Sequence, residues 1–395
     1  MRILFLVIGN SRRSNFLNGD TIRTGGAGAS GTDTSSILVG EYLASPEGGS
    51  HEIVISVDPL EPLLYAKYTE EGKSFPPGST CRGVTYTNPS MEGIENKTFD
   101  ILVNMLWFSD YQSLPIQVTK AIIIWCHVQW FYGISELIQY AHQYKLRCGV
   151  VHNSEWCRSF NVHHGNTVSQ MIPGSQQVTI YNPLLTELLE EIPVNLNREV
   201  GKVVFPASWG RGGSVALDTV RELTIPNKSF HAFDYLMCIH DHKDAFFHKY
   251  EGVDKRTLFQ HLSNSDYFIY PLYTHYENVH LDSFSCIVAE ALASGAIVLT
   301  YPIGALPEIY KDYCIWLELP EGFTQEYIQT QQLLPDPQGA FKKTSHIVHK
   351  INYLEQHPEE KETLRYKGRE DILQRFNIQT IGSQWVDFIN QLISA

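Results

Sequence analysis

The stretch YPLYTHYENVHLDSFSCIVAEALASGAIVLTYPIGALPE, residues 270–308, decides the fold. It opens on an apolar strand, and a polar loop then leads to DSFS at 282–285. The next segment is apolar with helical spacing, and it stops at Ser294-Gly295 because glycine favours the end of a helix. A new apolar strand follows at once. Strand, loop, helix and strand in this order predict a βα unit of a parallel sheet.

Two carboxylates and a predicted helix N-terminus in this stretch suggest a binding site. Asp282 and Glu290 are separated by roughly 12 Å if helical, whereas a paired acid and base need about 5–10 Å. The spacing therefore suits the two ends of one long ligand. The amides of Ser285, Cys286 and Ile287 lie between the carboxylates, and a helix N-terminus attracts phosphate. The alternative is an amphipathic helix with a capping aspartate and a surface glutamate.

The same alternation of strands and helices extends outward over the chain. Short β-branched runs alternate with segments of helical period, which predicts doubly wound parallel sheets. The predicted strands in the first half of the chain are 2–9, 51–58, 81–86, 100–107, 121–129 and 148–154. Those in the second half are 203–208, 229–236, 267–272, 297–302 and 314–319.

Several local features complete the organisation. A helix is predicted at 33–44 with Asp33 or Thr32 as N-cap, and a polar linker at 187–202. The predicted domains are therefore 1–190 and 200–375, both Rossmann-like, followed by a helix at 376–395 that packs back toward the first domain. Facing domains of this class share a central cleft, and such crevices bind ligands.

These motifs resemble the signature of retaining glycosyltransferases of family 4, which have the two-domain GT-B fold. The family pattern is E-G-F-G, four residues, E-A-hydrophobic-A-small-G, a strand, and G-hydrophobic-P-E. This sequence has DSFS-CIVA-EALASG, then IVLTYP, then GALPE, so the tail matches at Gly304, Pro307 and Glu308. About 40 residues match closely, and the two-domain alternation extends a looser similarity over the whole chain.

The resemblance implies a role for each motif residue. Glu290 would bind the ribose of a nucleotide-diphosphate sugar, and Asp282, Phe284 and Ser285 would contact the donor sugar. The phosphate would lie on the amides of Ser285, Cys286 and Ile287. Asp282 is shorter than the family glutamate, and serines replace both glycines. The resemblance therefore does not identify the donor sugar.

A glycine-rich turn at 207–214, ASWGRGGS, follows a predicted strand. Its Arg211-Gly212 resembles the Lys-Gly of the family, whose cation neutralises the donor diphosphate. Arginine binds phosphate with bidentate geometry. The family often has an earlier arginine in this loop. Its position falls near Pro206 in this sequence, and no basic residue is present there. The alternative is a solvated arginine in a surface loop.

The first domain offers a second glycine turn, GGAGASG at 25–31. By resemblance, Gly26, Ala27 and Gly28 approach a phosphate or an acceptor. The G-x-G-x-x-G that it contains belongs directly after a strand in dehydrogenases, whereas about 15 residues intervene here, which argues against a dinucleotide site. The insertion at 10–24, with Arg12, Arg13 and Arg23, is predicted as a mobile lid or an acceptor loop, and the alternative is a disordered surface loop.

His127 ends a predicted strand, where family members often place a histidine near the donor sugar. The alternative is a packed strand-end histidine. His152, Asn153 and Ser154 end the next strand and are further cleft candidates. Candidates for stacking on sugar rings, for which packing in the core is the alternative, are Trp130, Phe131, Tyr273 and Tyr276.

Composition and charge exclude several classes of function. The net charge is −13 and both halves are acidic, which argues against nucleic-acid binding and disfavours contact with an anionic membrane. Scattered cysteines, no apolar run of transmembrane length and no signal peptide predict a cytoplasmic protein. The histidines of HDHKDAFFH, 240–248, and His163-His164 match no compact zinc signature. The resemblance to GT-B enzymes implies that neither a metal nor a cofactor is needed.

The sequence thus predicts a retaining glycosyltransferase that moves a hexose from a nucleotide-diphosphate sugar to an unidentified acceptor hydroxyl. Asp282, Arg211 and His127 are the predicted catalytic residues. The alternatives are an inverting transferase or sugar-nucleotide epimerase of the same fold, and a sugar-nucleotide binding protein without catalysis.

Overall fold

The computed structural model describes most of the chain. The described residues are 1–7, 18–24, 29–57, 79–87, 97–105, 116–127, 134–164, 167–195, 197–234, 239, 242–251, 253–273, 278–329, 331 and 334–394. They form two compact units. The first comprises Met1–Leu185 with Phe376–Ala395, and the second comprises Thr186–Arg375.

The first unit is built on a sheet of eight described strands. They are Arg2–Val7 (β1), Glu52–Val57 (β2), Ser79–Cys81 (β3), Val84–Thr87 (β4), Thr98–Asn104 (β5), Gln117–Cys126 (β6), Arg147–His152 (β7) and Gln177–Thr179 (β8). Their order is β3-β4-β2-β1-β5-β6-β7-β8. The strands pair in parallel except β3 with β4. Residues 3–7 of β1 are completely buried, as a central parallel strand requires.

The helices of this unit up to residue 185 are Thr21–Thr24 (α1), Gly31–Ala44 (α2), Ile134–Gln143 (α3), Glu155–His163 (α4) and Thr167–Met171 (α5), with a 3₁₀ turn at Gly174–Gln176. The predicted N-cap of the helix at 33–44 is wrong. Ser30 caps α2, because its hydroxyl accepts from the Asp33 amide while the Asp33 carboxylate accepts from the Ser30 amide. Asp33 is thus the third helical residue of a capping box.

The single strand predicted at 81–86 is also wrong, because β3 and β4 form a hairpin whose turn lies inside that range. Arg82 and Gly83 connect the two strands, with φ angles of 49° and 78°. Two successive positive φ angles are typical of the type I′ turn that joins tight hairpins. Arginine is an uncommon residue in such a turn, so the sequence pattern concealed it.

The second unit contains a six-stranded parallel sheet. Its strands are Lys202–Phe205 (β9), Ser229–Asp234 (β10), Phe247–Glu251 (β11), Tyr267–Tyr270 (β12), Ile297–Thr300 (β14) and Ile315–Trp316 (β15). A separate antiparallel pair is formed by Asn278–Val279 (β13) and Leu334–Pro335 (β16). The sheet order is β11-β10-β9-β12-β14-β15. In chain order within the sheet this is 3-2-1-4-5-6, the arrangement of Rossmann folds.

The helices of the second unit are Thr186–Glu191 (α6), Gly213–Glu222 (α7), Lys255–Ser263 (α8), Cys286–Ala293 (α9), Leu306–Tyr310 (α10), Gln325–Gln329 (α11), Ser345–Gln356 (α12), Pro358–Tyr366 (α13) and Arg369–Arg375 (α14). Two 3₁₀ turns occur at Trp209–Arg211 and Ala340–Lys342. The linker predicted at 187–202 is wrong at its start, since α6 occupies it. The last two residues of the histidine run, Phe247 and His248, begin the edge strand β11, where no strand was predicted.

The last helix, Ile378–Ser394 (α15), belongs to the first unit. Its Trp385 is fully buried, with its ring centroid 4.6 Å from that of Trp125 and 6.4 Å from that of Phe5. Gly149 lets the helix approach β7, because a Cβ there would lie 2.8 Å from Phe388. The predicted return of the C-terminal helix to the first domain is confirmed.

Two findings concern the described residues as a group. Among them, no helix is both long and apolar enough to span a membrane. Within the same residues, no group of three or more histidine, cysteine or acidic side chains is arranged to hold a metal ion.

Candidate functional site

The candidate site lies where the strand order of the second sheet reverses. The chain continues from β9 to β10 on one side, and β12, β14 and β15 follow on the other. Connections after β9 and β12 therefore diverge, and such a switch point leaves a crevice at the carboxyl ends of the two strands. Arg211 follows β9, and Asp282 follows β12.

Arg211 reaches across this crevice to the loop after β12. Its Nη1 donates to the Tyr270 hydroxyl at 3.0 Å and to Asp282 Oδ2 at 3.1 Å. The turn that carries it ends at Gly212, whose φ is 107° and whose hydrogen faces Pro271, where a Cβ would lie 2.7 Å from the ring. The Arg211 side chain is 36% exposed, so it is not sealed inside the unit.

Asp282 is buried and ionised. Tyr270 donates its hydroxyl to Oδ2 at 2.8 Å, the same oxygen that Arg211 contacts. Burial alone would raise the pKa of the carboxyl, but Arg211, His280 and the Tyr270 hydrogen bond outweigh burial and hold that pKa below its ordinary value. At neutral pH the pair is therefore a carboxylate bound to a guanidinium.

Tyr270 and His280 belong to the candidate site and were not predicted from the sequence. Burial, reinforced by the neighbouring Arg211 charge, lowers the pKa of His280 to about 4, so its ring is neutral at pH 7. The available signal for His280 was its position two residues before Asp282, a spacing that places side chains on the same side wherever a chain is extended. The signal for Tyr270 was a hydroxyl on the last residue of a buried strand.

The GALPE tail supports the backbone of Asp282. Gly304 has a φ of 60°, and a Cβ there would lie 2.4 Å from the Asp282 carbonyl oxygen. The next amide, of Ala305, donates to that same carbonyl at 2.8 Å. Close packing against the Asp282 backbone therefore explains why residue 304 is glycine, without reference to any ligand.

Helix α9 begins beside this loop. Ser285 is its N-cap and has a φ of 64°, in the left-handed region. The buried Tyr310 hydroxyl lies 2.9 Å from the Phe284 carbonyl and 2.8 Å from the Ser285 carbonyl, which fixes the turn. The Phe284 side chain belongs to the core, whereas Ile287 is half-buried.

Glu290 lies inside the unit, so the alternative of a surface glutamate is wrong. It is 1% exposed, and Lys255 Nζ donates to its two carboxylate oxygens at 2.7 and 2.9 Å. Burial raises the pKa of Glu290, and Lys255 opposes that rise. Lys255 was missed, because nothing in the local sequence connects it to a carboxylate 35 residues away.

In the first unit, His127 follows β6 and is buried against Trp125, with ring centroids 4.6 Å apart. Burial lowers its pKa to about 3, which keeps the ring neutral. His152 is also buried, and its ring nitrogens lie 3.1 Å from Gln177 Oε1 and 3.4 Å from Asn161 Nδ2. Ser154 caps α4 by accepting from the Cys157 amide, so both His152 and Ser154 make contacts within the first unit.

Two further candidates are packed inside the protein. Arg23 forms a buried ion pair with Glu41 at 2.8 Å, so it ties α1 to α2. Tyr273 is 4% exposed and lies under the Lys342 ammonium, which is 4.9 Å from its ring centroid. The remaining candidates lie outside the described residues: Arg12, Arg13, Gly26, Ala27, Gly28, Trp130, Phe131 and Tyr276.

Comparison with known sequences supports the interpretation of the second unit. Residues 241–387 match the family model described as "Glycosyl transferase-like". This segment contains Lys255, Asp282, Glu290 and the helix N-terminus between the two carboxylates. No curated protein sequence matches the chain.

Solved structures show the fold of the whole chain. Sucrose-phosphate synthase from Thermosynechococcus elongatus aligns over 100% of both chains, with a TM-score of 0.64 and 12% identity. HepE from Anabaena, solved with UDP, aligns over 99% of this chain and 100% of its own, with a TM-score of 0.59 and 12% identity. A glycosyltransferase from Rickettsia africae aligns with a TM-score of 0.59 and 11% identity over 100% and 99% of the two chains.

The predicted fold class is therefore confirmed: the chain has the GT-B fold. Residues 241–387 are similar to glycosyltransferases in sequence, whereas the similarity of the whole chain to the solved structures is one of fold.

Proposed function

We propose that this protein is a retaining glycosyltransferase that moves a hexose from a nucleotide-diphosphate sugar to an acceptor hydroxyl. The observation that carries the proposal is the convergence of Arg211 and the N-terminus of α9 at the switch point of the second sheet. A guanidinium and a helix N-terminus are two independent means of binding phosphate.

Arg211 is the proposed ligand of the donor diphosphate. Guanidinium has five N–H donors, and the contacts to Tyr270 and Asp282 both use Nη1. The N–H groups on the other two nitrogens of the guanidinium are suited to a bidentate contact with phosphate oxygens. Negative charge grows on the departing diphosphate as the glycosidic bond breaks, so a prepositioned cation lowers the barrier.

The second carboxylate and the α9 turn are proposed to hold the rest of the donor. Glu290 would accept hydrogen bonds from the ribose hydroxyls. The backbone of the turn formed by residues 284–287 would contact sugar and phosphate. Asp282 would act through Arg211, whose guanidinium it orients, and Gly212 would keep that guanidinium against the loop after β12.

The proposed chemistry is a front-side displacement with little covalent participation of the protein. The bond between the anomeric carbon and the diphosphate breaks, and the acceptor oxygen attacks on the same face. The acceptor proton passes to the departing phosphate oxygen. Positioning and charge stabilisation would then supply most of the rate. His127 as a sugar contact, and Gly26, Ala27 and Gly28 as a phosphate or acceptor turn, remain predictions from the family resemblance.

UDP-glucose is the first donor to test, because HepE was solved with both UDP and UDP-glucose. A thermal-shift screen of UDP-, GDP- and ADP-sugars should find one nucleotide class that raises the apparent Tm of the wild type. With an acceptor, proton NMR of the product should show the anomeric configuration of the donor.

Each other outcome has a defined meaning. An inverted product would replace the retaining proposal with an inverting transferase, and an epimerised nucleotide sugar would indicate an epimerase. Stabilisation without turnover of any donor would support a binding protein. If no nucleotide sugar shifts the Tm, the assignment of the donor site is wrong.

A further inference from the structure

Lys255 and Glu290 form an ion pair that the donor-site motif does not include. Lys255 is the first residue of α8, and Glu290 lies in the second half of α9. The lysine ammonium contacts both carboxylate oxygens, at 2.7 and 2.9 Å. The side chains are 6% and 1% exposed, so the pair is shielded from water on nearly all sides.

The ammonium is held at a defined position by the start of its helix. Asp254 caps α8 by accepting from the Thr257 amide at 2.8 Å. Lys255 therefore projects from the first turn of a capped helix, and the Phe259 ring lies 6.0 Å from its nitrogen. A lysine fixed in this way constrains the orientation of the carboxylate that it contacts.

A second buried pair in the same unit shows what a purely structural carboxylate looks like. Asp266 accepts from the Gly201 amide, contacts Lys361 at 3.1 Å and also pairs with Arg365. By contrast, the two bonds from Lys255 occupy two of the roughly four acceptor positions of the Glu290 carboxylate. Glu290 thus keeps acceptor capacity for a ligand that donates hydrogen bonds.

We propose that Lys255 is a positioning residue for the donor nucleotide: it keeps Glu290 ionised and oriented, so that the carboxylate accepts hydrogen bonds from the ribose hydroxyls. The inference rests on the proposed function and adds a residue to it. Loss of the ammonium would leave a buried carboxyl whose neutral form is a weaker acceptor.

The test compares a nucleotide with and without its ribose hydroxyls. Calorimetry would measure binding of UDP and of 2′,3′-dideoxy-UDP, or of the corresponding GDP or ADP pair if the donor screen selects that base. Wild type should prefer the ribonucleotide by roughly 10- to 100-fold. Lys255→Met should lose most of this preference, whereas Lys255→Arg should retain most of it.

A pH series gives a readout that a merely structural role would not affect. Without the ammonium, the pKa of Glu290 rises further, so a larger fraction is neutral at lower pH. The affinity of Lys255→Met for UDP should therefore increase from about pH 6 to about pH 8, more steeply than that of wild type.

Lys361→Met is the matched control, because it removes a buried lysine from the Asp266 cluster of the same unit. Its preference for the ribonucleotide should equal that of wild type. If Lys255→Met does not fold, as judged by circular dichroism, Lys255→Gln replaces it, since glutamine keeps a donor without the charge.

The outcomes separate this inference from the proposed function. If the folded variant without the ammonium prefers the ribonucleotide as strongly as wild type does, the proposed role of Lys255 is wrong, but the proposed donor site is unaffected. Equal binding of both probes by wild type would overturn the role of Lys255 and the ribose contact of Glu290 together. If wild type binds no nucleoside diphosphate at all, the proposed function fails, and the Lys255 inference fails with it.

Discussion

Ser285 adopts a conformation that glycine adopts more easily. Its φ of 64° lies in the left-handed region, where a side chain costs about 1–2 kcal/mol. Leu272, which follows β12, has a φ of 60°. Two strained residues therefore flank the loop that carries Asp282, and such strain persists where the surrounding structure fixes the backbone.

This strain predicts opposite effects for two serine-to-glycine changes in DSFS. Ser285→Gly should raise the free energy of unfolding by about 0.5–1 kcal/mol, because glycine relieves the strained φ. Ser283 has no positive φ, so Ser283→Gly should lower that free energy by about 0.5–1 kcal/mol through the greater entropy of the unfolded chain. Urea denaturation of both variants measures the difference, and a destabilised Ser285→Gly with an unchanged Ser283→Gly would contradict this account.

Individual site residues were predictable only where a motif carried them. Arg211, Asp282 and Glu290 stand in motifs, so they could be named from the sequence. Their partners could not, because Tyr270 meets Arg211 across 59 residues and Lys255 meets Glu290 across 35. Such contacts depend on how strands and helices pack, which a local pattern does not specify.

At the level of secondary-structure elements, the tail GALPE connects two parts of the site. It follows β14 and begins α10, and its Gly304 backbone touches the backbone of Asp282. The loop after β12 and the start of α10 are thus packed directly against each other. A change in the tail should therefore disturb the position of Asp282 without touching a ligand.

Gly304→Ala tests this coupling. A Cβ would overlap the Asp282 carbonyl oxygen at 2.4 Å, in addition to the strain of a φ of 60°. Gly322→Ala is the matched control, because Gly322 has a φ of 88° but nothing within 4 Å of its Cβ position. Gly322→Ala should cost about 1 kcal/mol in the free energy of unfolding, and Gly304→Ala about 2–4 kcal/mol.

Denaturation curves of the two glycine variants provide the measurement. Nucleotide binding should weaken in Gly304→Ala and stay unchanged in Gly322→Ala. Equal destabilisation by the two changes would show that backbone strain, and not contact with Asp282, explains the glycine at 304.

Periodicity predicted most elements, and its failures have physical causes. The hairpin β3–β4 was missed because Arg82-Gly83 is an unusual turn pair. Helix α6 was taken for a linker because it is short and its sequence, TELLEE, is rich in acidic residues. Strand β11, FHKYE, lies at the edge of the sheet and has a polar sequence, so it lacks the apolar run of a central strand.

For the molecule as a whole, strand order supports the position of the proposed donor site. Alternating strands and helices predicted two parallel sheets and the final helix, but they do not reveal the order of strands in space. The order β11-β10-β9-β12-β14-β15 places the reversal between β9 and β12, which are the strands that precede Arg211 and Asp282. The sheet therefore supplies an argument for the site that is independent of the motif.

The acidic overall charge of the chain bears on the proposed binding of a diphosphate by Arg211. The chain has a net charge of −13, and Asp282 already neutralises much of the Arg211 charge. A diphosphate bound here must therefore share the guanidinium with a carboxylate and depend on the amides of α9 as well. This arrangement agrees with the proposal that Asp282 orients the arginine.

Calorimetric titration of the preferred nucleoside diphosphate into wild type, Arg211→Ala and Arg221→Ala tests the central claim most directly. Arg221 is an arginine of α7 in the same unit, paired with Asp218 and Asp244 on the surface, so it controls for loss of positive charge. We expect Arg211→Ala to weaken binding by roughly 10- to 100-fold and Arg221→Ala to leave it unchanged. Equal affinity in wild type and Arg211→Ala would contradict a diphosphate site at Arg211.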